Sequence, residues 1–290
     1  MQELESLTIR ADIVRAVEPI LSALRTISSG SRLRALSRAE RLRRYRQELL
    51  NILATVLPHL DPAQGAGDVS RPSGRLVVLV VGSQRGLCGG FNDVLAESVA
   101  RVLSEYLAAG QSVVLTSLGT RTQRALRRRG YSPEQSGPLS TTSLPPYELA
   151  AELTAAWLSA YEAHELDAVE CVYNAYRGLT RYEPTRVRLL PPELPAVPSA
   201  QQEWPPHVET DPLGLYVRSV ELWISAALYS ILLESAAAEH AARYQLLDGA
   251  AQNADRLLEE LQLFLQAARQ DAITSEMQDL ASGAGLLGPP

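Results

Sequence analysis

The stretch with the most chemical promise runs from Gly82 to Asn92. It reads Gly-Ser-Gln-Arg-Gly-Leu-Cys-Gly-Gly-Phe-Asn directly after the apolar run Leu76 to Val81. A strand, a glycine-rich turn and a helix N-terminus can together cradle a phosphate, because the unpaired backbone N–H groups of the first helical turn face the anion. The spacing of Gly82, Gly86, Gly89 and Gly90 fits neither Gly-x-Gly-x-x-Gly nor the Walker loop, which also needs a lysine. All 27 basic residues are arginine, so Schiff-base and general-base lysine chemistry is excluded as well. Cys88 sits inside the turn, but a thiol nucleophile needs a base. The four histidines, His59, His164, His207 and His240, are scattered far from it in sequence. Neither they nor Cys88 and Cys171 show metal-ligand or disulfide-framework spacing. The expectation is therefore no catalytic residue, no cofactor site and no metal site. The turn is read as a packing device that lets backbone approach a neighbouring element closely.

The elements around the turn follow from periodicity. Leu76 to Val81 is uniformly apolar and β-branched, as in a strand buried on both faces of a parallel sheet. A helix that Asn92 could cap runs to about Ala109, and Ser112 to Ser117 is the next strand, which completes a βαβ unit. Further helices are expected near Thr120 to Arg129, stopped by Gly130, and from Pro146 to about His164. Strands are expected at Asp167 to Tyr176 and Thr185 to Leu190, joined through Gly178. Asp61 to Gly74 reads as a loop and Pro191 to Pro212 as a proline-rich connector.

The ends of the chain are different. No proline falls between Pro212 and Pro289, and the apolar residues keep a helical beat throughout. Leu247, Ala250, Ala254, Leu257, Leu261, Phe264 and Ala268 step by three and four, the spacing of a coiled-coil seam, with Leu258, Leu265 and Ala272 widening it. A helix of about 70 residues would be about 100 Å long, too long for one core, so a second helix must cover its stripe. The first residues supply one: Leu4 to Leu57 is helix-like, broken only by Pro19, with Val14, Val17, Leu21 and Leu24 in register. The expected architecture is an α/β domain at residues 75–192, carried between a helix at 1–60 and a helix at 212–287 that pair as an antiparallel coiled coil. Arg32, Arg34, Arg38, Arg41, Arg43, Arg44 and Arg46 make the main basic cluster. With a net charge of -6 and little aromatic interleaving, it reads as a solvated helix facing an acidic partner rather than a nucleic-acid site. No apolar run approaches the roughly 20 residues that span a bilayer, and Glu3, Glu5 and Asp12 argue against a basic targeting segment. If the protein works at a membrane, another subunit must hold it there.

Three stretches resemble the gamma subunit of the F-type ATP synthase. Arg85-Gly86-Leu87-Cys88-Gly89-Gly90-Phe91-Asn92 is similar to the family's turn. Ala268-Arg269-Gln270-Asp271-Ala272-Ile273-Thr274-Ser275-Glu276, with Asp279 and Gly283-Ala284, is similar to its C-terminal signature. Glu239-His240-Ala241-Ala242-Arg243 and Asn253-Ala254 also fit, and Ser22-Ala23-Leu24-Arg25 aligns more loosely. Pro19, Gln266 and the Gly288-Pro289-Pro290 end depart from the family pattern. The resemblance implies a Rossmann-like foot domain on a coiled-coil rod. It implies alpha and beta subunits around the rod, and the epsilon subunit and the c-ring at the foot. It also implies a place on the cytoplasmic face of a bacterial plasma membrane, and mechanical coupling of ion flow to ATP synthesis or hydrolysis in beta. Carried over residue by residue, it marks Arg269 and Gln270 as contacts to beta with Thr274 and Glu276 close by, Arg243 as a coupling position lower on the helix, and Leu24 and Arg25 as subunit-contact positions on the first helix. A non-rotary coiled-coil paralogue is the alternative. A small Rossmann-like enzyme would need a nucleotide site that the sequence does not offer.

Overall fold

A computed structural model describes residues 2–60, 75–139, 144–192 and 208–283. The expected loop 61–74, most of the proline-rich connector and the end from 284 onward lie outside the described residues. In chain order the elements are α1 (Gln2–Val56), a 3-10 turn (Leu57–His59), β1 (Arg75–Val81), α2 (Phe91–Ala108), β2 (Ser112–Leu118), α3 (Thr120–Arg128), β3 (Gln135–Gly137), α4 (Tyr147–Glu162), β4 (Ala168–Tyr176), β5 (Tyr182–Leu190) and α5 (Pro212–Gly283). The chain divides into two compact units, Ser28–Arg243 and Met1–Ile27 with Tyr244–Pro290.

The larger unit is built on a five-stranded sheet in the order β3-β2-β1-β4-β5. β1 runs parallel to β2 and β4, and β5 is antiparallel to β4. The apolar run is the central strand because both of its faces are covered. Leu76, Val78 and Val80 meet Leu95, Val99 and Leu103 of α2 and Leu126 of α3. Leu79 and Val81 join Trp157 of α4, Leu228 and Leu232 of α5, and Ala35 and Leu49 of α1 in a second core. β5 begins three residues earlier than its apolar pattern suggests and includes Pro184, which an edge strand tolerates because its outer side carries no ladder. β3 has no apolar alternation to announce it. Backbone bonds from Glu134 to Leu115 (2.9 Å) and from Gly119 to Gly137 (3.0 Å) fasten it to β2.

Most of the arginine cluster is exposed, as expected, with Arg34, Arg38, Arg41, Arg43 and Arg44 open to solvent and only Arg32 and Arg46 half-buried. Arg32 donates to the Tyr176 hydroxyl at 3.0 Å, Arg38 to that of Tyr229 at 3.4 Å, and the Arg46 guanidinium lies 4.8 Å from the Trp223 ring centre. The pairs Arg38–Tyr229 and Arg46–Trp223 run in opposite directions along α1 and α5, so the two helices are antiparallel within this unit. α5 contains one window apolar enough to cross a membrane by composition, with a mean hydropathy of 1.3, but 72% of that window is buried.

In the smaller unit the two helices again pair antiparallel, and the seam lies within the expected stripe but is rotated toward its Leu258 and Leu265 edge. Ala11, Leu261 and Leu265 are buried, with Leu4, Leu7 and Val14 packed on them. Leu257 and Phe264 are 38% and 60% exposed, and Val17 is 42% exposed, so these three are not buried in the seam, although Leu257 and Phe264 line a groove with Leu4, Leu7 and Arg10 of α1. Along α5 in this unit, Leu247, Ala251, Ala254, Leu258, Leu261, Leu265 and Ala268 form the buried or half-buried apolar series, and Ala250 of the expected series is half-buried beside it. The observed series alternates four and three, whereas the expected series alternated three and four from the same start. Both series fit an apolar helix, and only the covering residues decide which faces inward. Pro19 does not interrupt α1.

Candidate functional site

At the C-terminal end of β1 the chain makes the turn that the sequence singled out. In a doubly wound sheet, the crevice beside the strand where the connections reverse direction is the usual ligand site, and here that crevice lies at the ends of β1 and β4. α5 occupies it. The Ser235 hydroxyl donates to the Val81 carbonyl at 3.4 Å. Cys88 and Phe91 pack against Ala238 and Ala242, with Tyr176 and Tyr182 closing the cluster. Phe91 meets Tyr182 edge to face at 5.1 Å. The alanines on this face of α5 are what let the turn approach so closely.

The turn is rigidly held. Leu87 and Gly89 both have left-handed backbone, at φ 63° and 57°, conformations in which glycine is free and leucine is strained. A side chain at Gly82 would put its Cβ 2.1 Å from Thr122 Oγ1. Asn92 is the hub rather than a cap. α2 begins at Phe91 with Gly90 at its cap position and no side-chain cap. The Asn92 amide turns inward, where its oxygen accepts from the Ser83 backbone (3.1 Å) and Thr122 Oγ1 (3.0 Å), and its nitrogen donates to Ser83 Oγ (2.8 Å). Gln84 bridges to Thr120 and to the Leu139 backbone, both contacts of its oxygen being 3.2 Å, and Asn174 donates to the Phe91 carbonyl at 2.9 Å.

Against this turn lies a buried ion pair. Glu239 and Arg243, four apart on one face of α5, are 8% and 7% exposed, and Arg243 Nη2 donates to Glu239 Oε1. Arg243 Nε donates to the Gly86 carbonyl at 3.1 Å and Nη2 to that of Arg85 at 3.5 Å. Nη1 lies 3.1 Å from His240 Nδ1, which accepts, since a guanidinium only donates. Burial pushes the Glu239 carboxyl up, against the attraction of Arg243. The arrangement satisfies every nitrogen of one guanidinium and ties two loop carbonyls to a helix. It holds parts together and presents no free nucleophile. Burial likewise raises the Cys88 thiol. Among the described residues no group of three or more His, Cys, Asp and Glu side chains could hold a metal.

The structure therefore brings Gly86, Leu87, Cys88, Gly89 and Gly90 together with Arg243. The other marked residues lie in the smaller unit. Arg25 forms an ion pair with Asp248 at 2.8 Å, so its charge is engaged within the chain, and Leu24 beside it is half-buried. Arg269, Gln270, Thr274 and Glu276 are all exposed on α5. Arg269 and Glu276, seven apart, share one face, while Thr274 Oγ1 donates to the Gln270 carbonyl at 2.8 Å. From Arg269 to Leu280 no residue is buried, and Ile273, Met277 and Leu280 stand 58%, 66% and 68% exposed.

Sequence reasoning missed the roles of Asn92, Gln84 and Asn174. It also missed a second polar cluster, in which buried Glu170 accepts from Arg186 and from Arg188, the latter at 3.2 Å, while Arg186 also donates to the Tyr106 hydroxyl. Glu170 of β4 pairs with Arg188 of β5 and lies diagonally from Arg186, beside a register shift between Val169 and Glu170, a signal visible only once that pairing is known.

The fold is a doubly wound sheet whose crevice at the ends of β1 and β4 is filled by its own C-terminal helix, with that helix paired to the N-terminal one. A family model described as ATP synthase matches residues 3–287. The ATP synthase gamma chain of Chlorobaculum tepidum is 30% identical over 300 residues, covering 99% of each chain. That of Geotalea daltonii is 29% identical over 286 residues, covering 98% of each. Among solved structures, a chain of Euglena gracilis mitochondrial ATP synthase in rotational state 3 superposes with a TM-score of 0.62 over 98% of this chain and 94% of its own, at 13% identity. A chain from the central stalk and c-ring of the Tetrahymena thermophila enzyme gives 0.56 over 80% and 99%, at 18% identity. The chain belongs to the ATP synthase gamma-chain family.

Proposed function

We propose that the chain is the rotor of the central stalk of a rotary ATP synthase, transmitting rotation driven by ion flow to the catalytic sites of surrounding subunits. The observation that carries this reading is the Arg243 joint. The place where a doubly wound protein would bind a ligand is given over to fastening the α/β domain to α5, a contact suited to transmitting torque. The chain has no catalytic site of its own, and nucleotide chemistry belongs to beta. Ile273, Met277 and Leu280, spaced four and three on α5 and exposed, support a surrounding partner, since an apolar stripe left in water is costly. Arg269 and Gln270 are the contacts assigned to beta, with Thr274 and Glu276 close by. Alpha and beta enclose the paired helices. Epsilon and the c-ring engage the α/β domain, and the c-ring holds the assembly at the cytoplasmic face of the membrane.

Purification of the tagged chain from its own cells tests this. Alpha, beta and epsilon should co-purify with it, and membrane vesicles should lose ATP-driven ion pumping when the chain is depleted. Recovery of a coiled-coil protein free of alpha and beta, with pumping intact after depletion, would mark a paralogue that has left the rotor.

A further inference from the structure

Nine residues before Arg243 and next to Ser235, α5 carries a charged contact to the α/β domain. Glu234 accepts from the Tyr173 hydroxyl at 2.9 Å and pairs with Arg177 Nη1 at 3.5 Å. Arg177 is itself braced by Glu183 at 3.2 Å. Tyr173 is a core residue, 5% exposed, and Arg177 follows the end of β4, so this contact belongs to the sheet and not to the glycine turn. At about 1.5 Å and about 100° per residue, nine residues place Glu234 and Arg243 about 13 Å apart along the helix and on opposite sides of it. Apolar packing of Leu228 and Leu232 in the core holds α5 without a preferred polar direction, and a single directional contact at one level leaves the helix able to creep about it under torque. Held on opposite sides at two levels, it cannot roll without breaking one of them.

We propose that Glu234, through Tyr173 and Arg177, is a positioning residue that forms a second joint opposite Arg243, and that the two together stop α5 rolling against the α/β domain under torque. The inference rests on the rotor reading. Its test is the number of ions pumped per ATP hydrolysed in vesicles, normalised to assembled complex, for three variants. These are Glu234→Ala, the neutralised pair Glu239→Gln with Arg243→Gln, and all three changes together. Each joint removed alone should lower the ratio by less than about twofold, and loss of both by much more than the product, about fivefold or greater, since coupled sites are not additive. Hydrolysis should persist throughout. Glu234→Gln, which keeps an acceptor for Tyr173, should restore most of the ratio lost by Glu234→Ala. If the combined variant fails to assemble, Tyr173→Phe replaces Glu234→Ala under the same criterion. A combined effect equal to the product of the separate ones, or a Glu234 change without effect in either background, overturns the second joint. Pumping that does not depend on this chain at all would instead overturn the rotor reading.

Discussion

Burial raises the pKa of the Cys88 thiol, and its hydrogen bond with Ser83 lowers it by less. A thiol reacts as thiolate, so Cys88 should be alkylated slowly at neutral pH and faster as pH rises. Cys88→Ser should leave ATP hydrolysis by the complex within a small factor of wild type, and loss of activity in an intact complex would contradict the packing role. Glu170 behaves in the opposite way. Burial works to raise its pKa, but hydrogen bonds from Arg186 and then Tyr106 prevail and hold it below the ordinary value. The same cluster pushes the Tyr106 hydroxyl up to about 12, chiefly by burial. A carboxylate depressed in the folded state stabilises above its unfolded pKa, about 4.3, and loses that contribution as pH falls through the folded value. The melting-temperature gap between wild type and Glu170→Gln should therefore be widest near neutral pH and shrink in acid. A gap independent of pH would show that the charge is not what matters. Single residues were legible where their type excluded chemistry, as with the absent lysine, or where a motif placed them. Asn92 was legible only in part, because an asparagine near a helix start reads as a cap until its inward neighbours, Ser83 and Thr122, are known.

At the scale of elements, uniformly apolar β1 and the proline-free terminal helices could be read directly. The seam between those helices could not, because α5 is apolar on more than one side and two heptad series share Leu247, Ala254, Leu261 and Ala268. Leu261 is 3% exposed and Phe264 60%. Leu261→Ala should cost about 2–5 kcal/mol, as for a packed core leucine, and Phe264→Ala less than about 0.5 kcal/mol, as for a surface change. Chemical denaturation of the chain decides between them, and equal losses would contradict the rotated seam. Arg243→Ala leaves Glu239 buried without its partner and should cost about 3–5 kcal/mol, whereas replacing both by apolar residues should cost much less. A single change no worse than the double would show that the pair is not buried as described. β3 was illegible for a different reason. Three polar residues become a strand only because β2 offers an edge.

Across the whole molecule, torque needs a stiff path into α5 and contacts beyond it. Arg269 and Gln270 are exposed, and an arginine fork can hold a carboxylate or carbonyl with a direction that alanine cannot supply. Arg269→Ala with Gln270→Ala should leave assembly intact while lowering ATP-driven pumping per complex. Unchanged pumping would make them ordinary solvated positions. The rotor role itself is read most directly by watching the chain move. With the ring of alpha and beta immobilised and a bead fixed to the α/β domain, added ATP should turn the bead stepwise in one direction, and its exhaustion should stop the rotation. Steady ATP hydrolysis with a stationary bead, in complexes that contain the chain, would contradict the rotor.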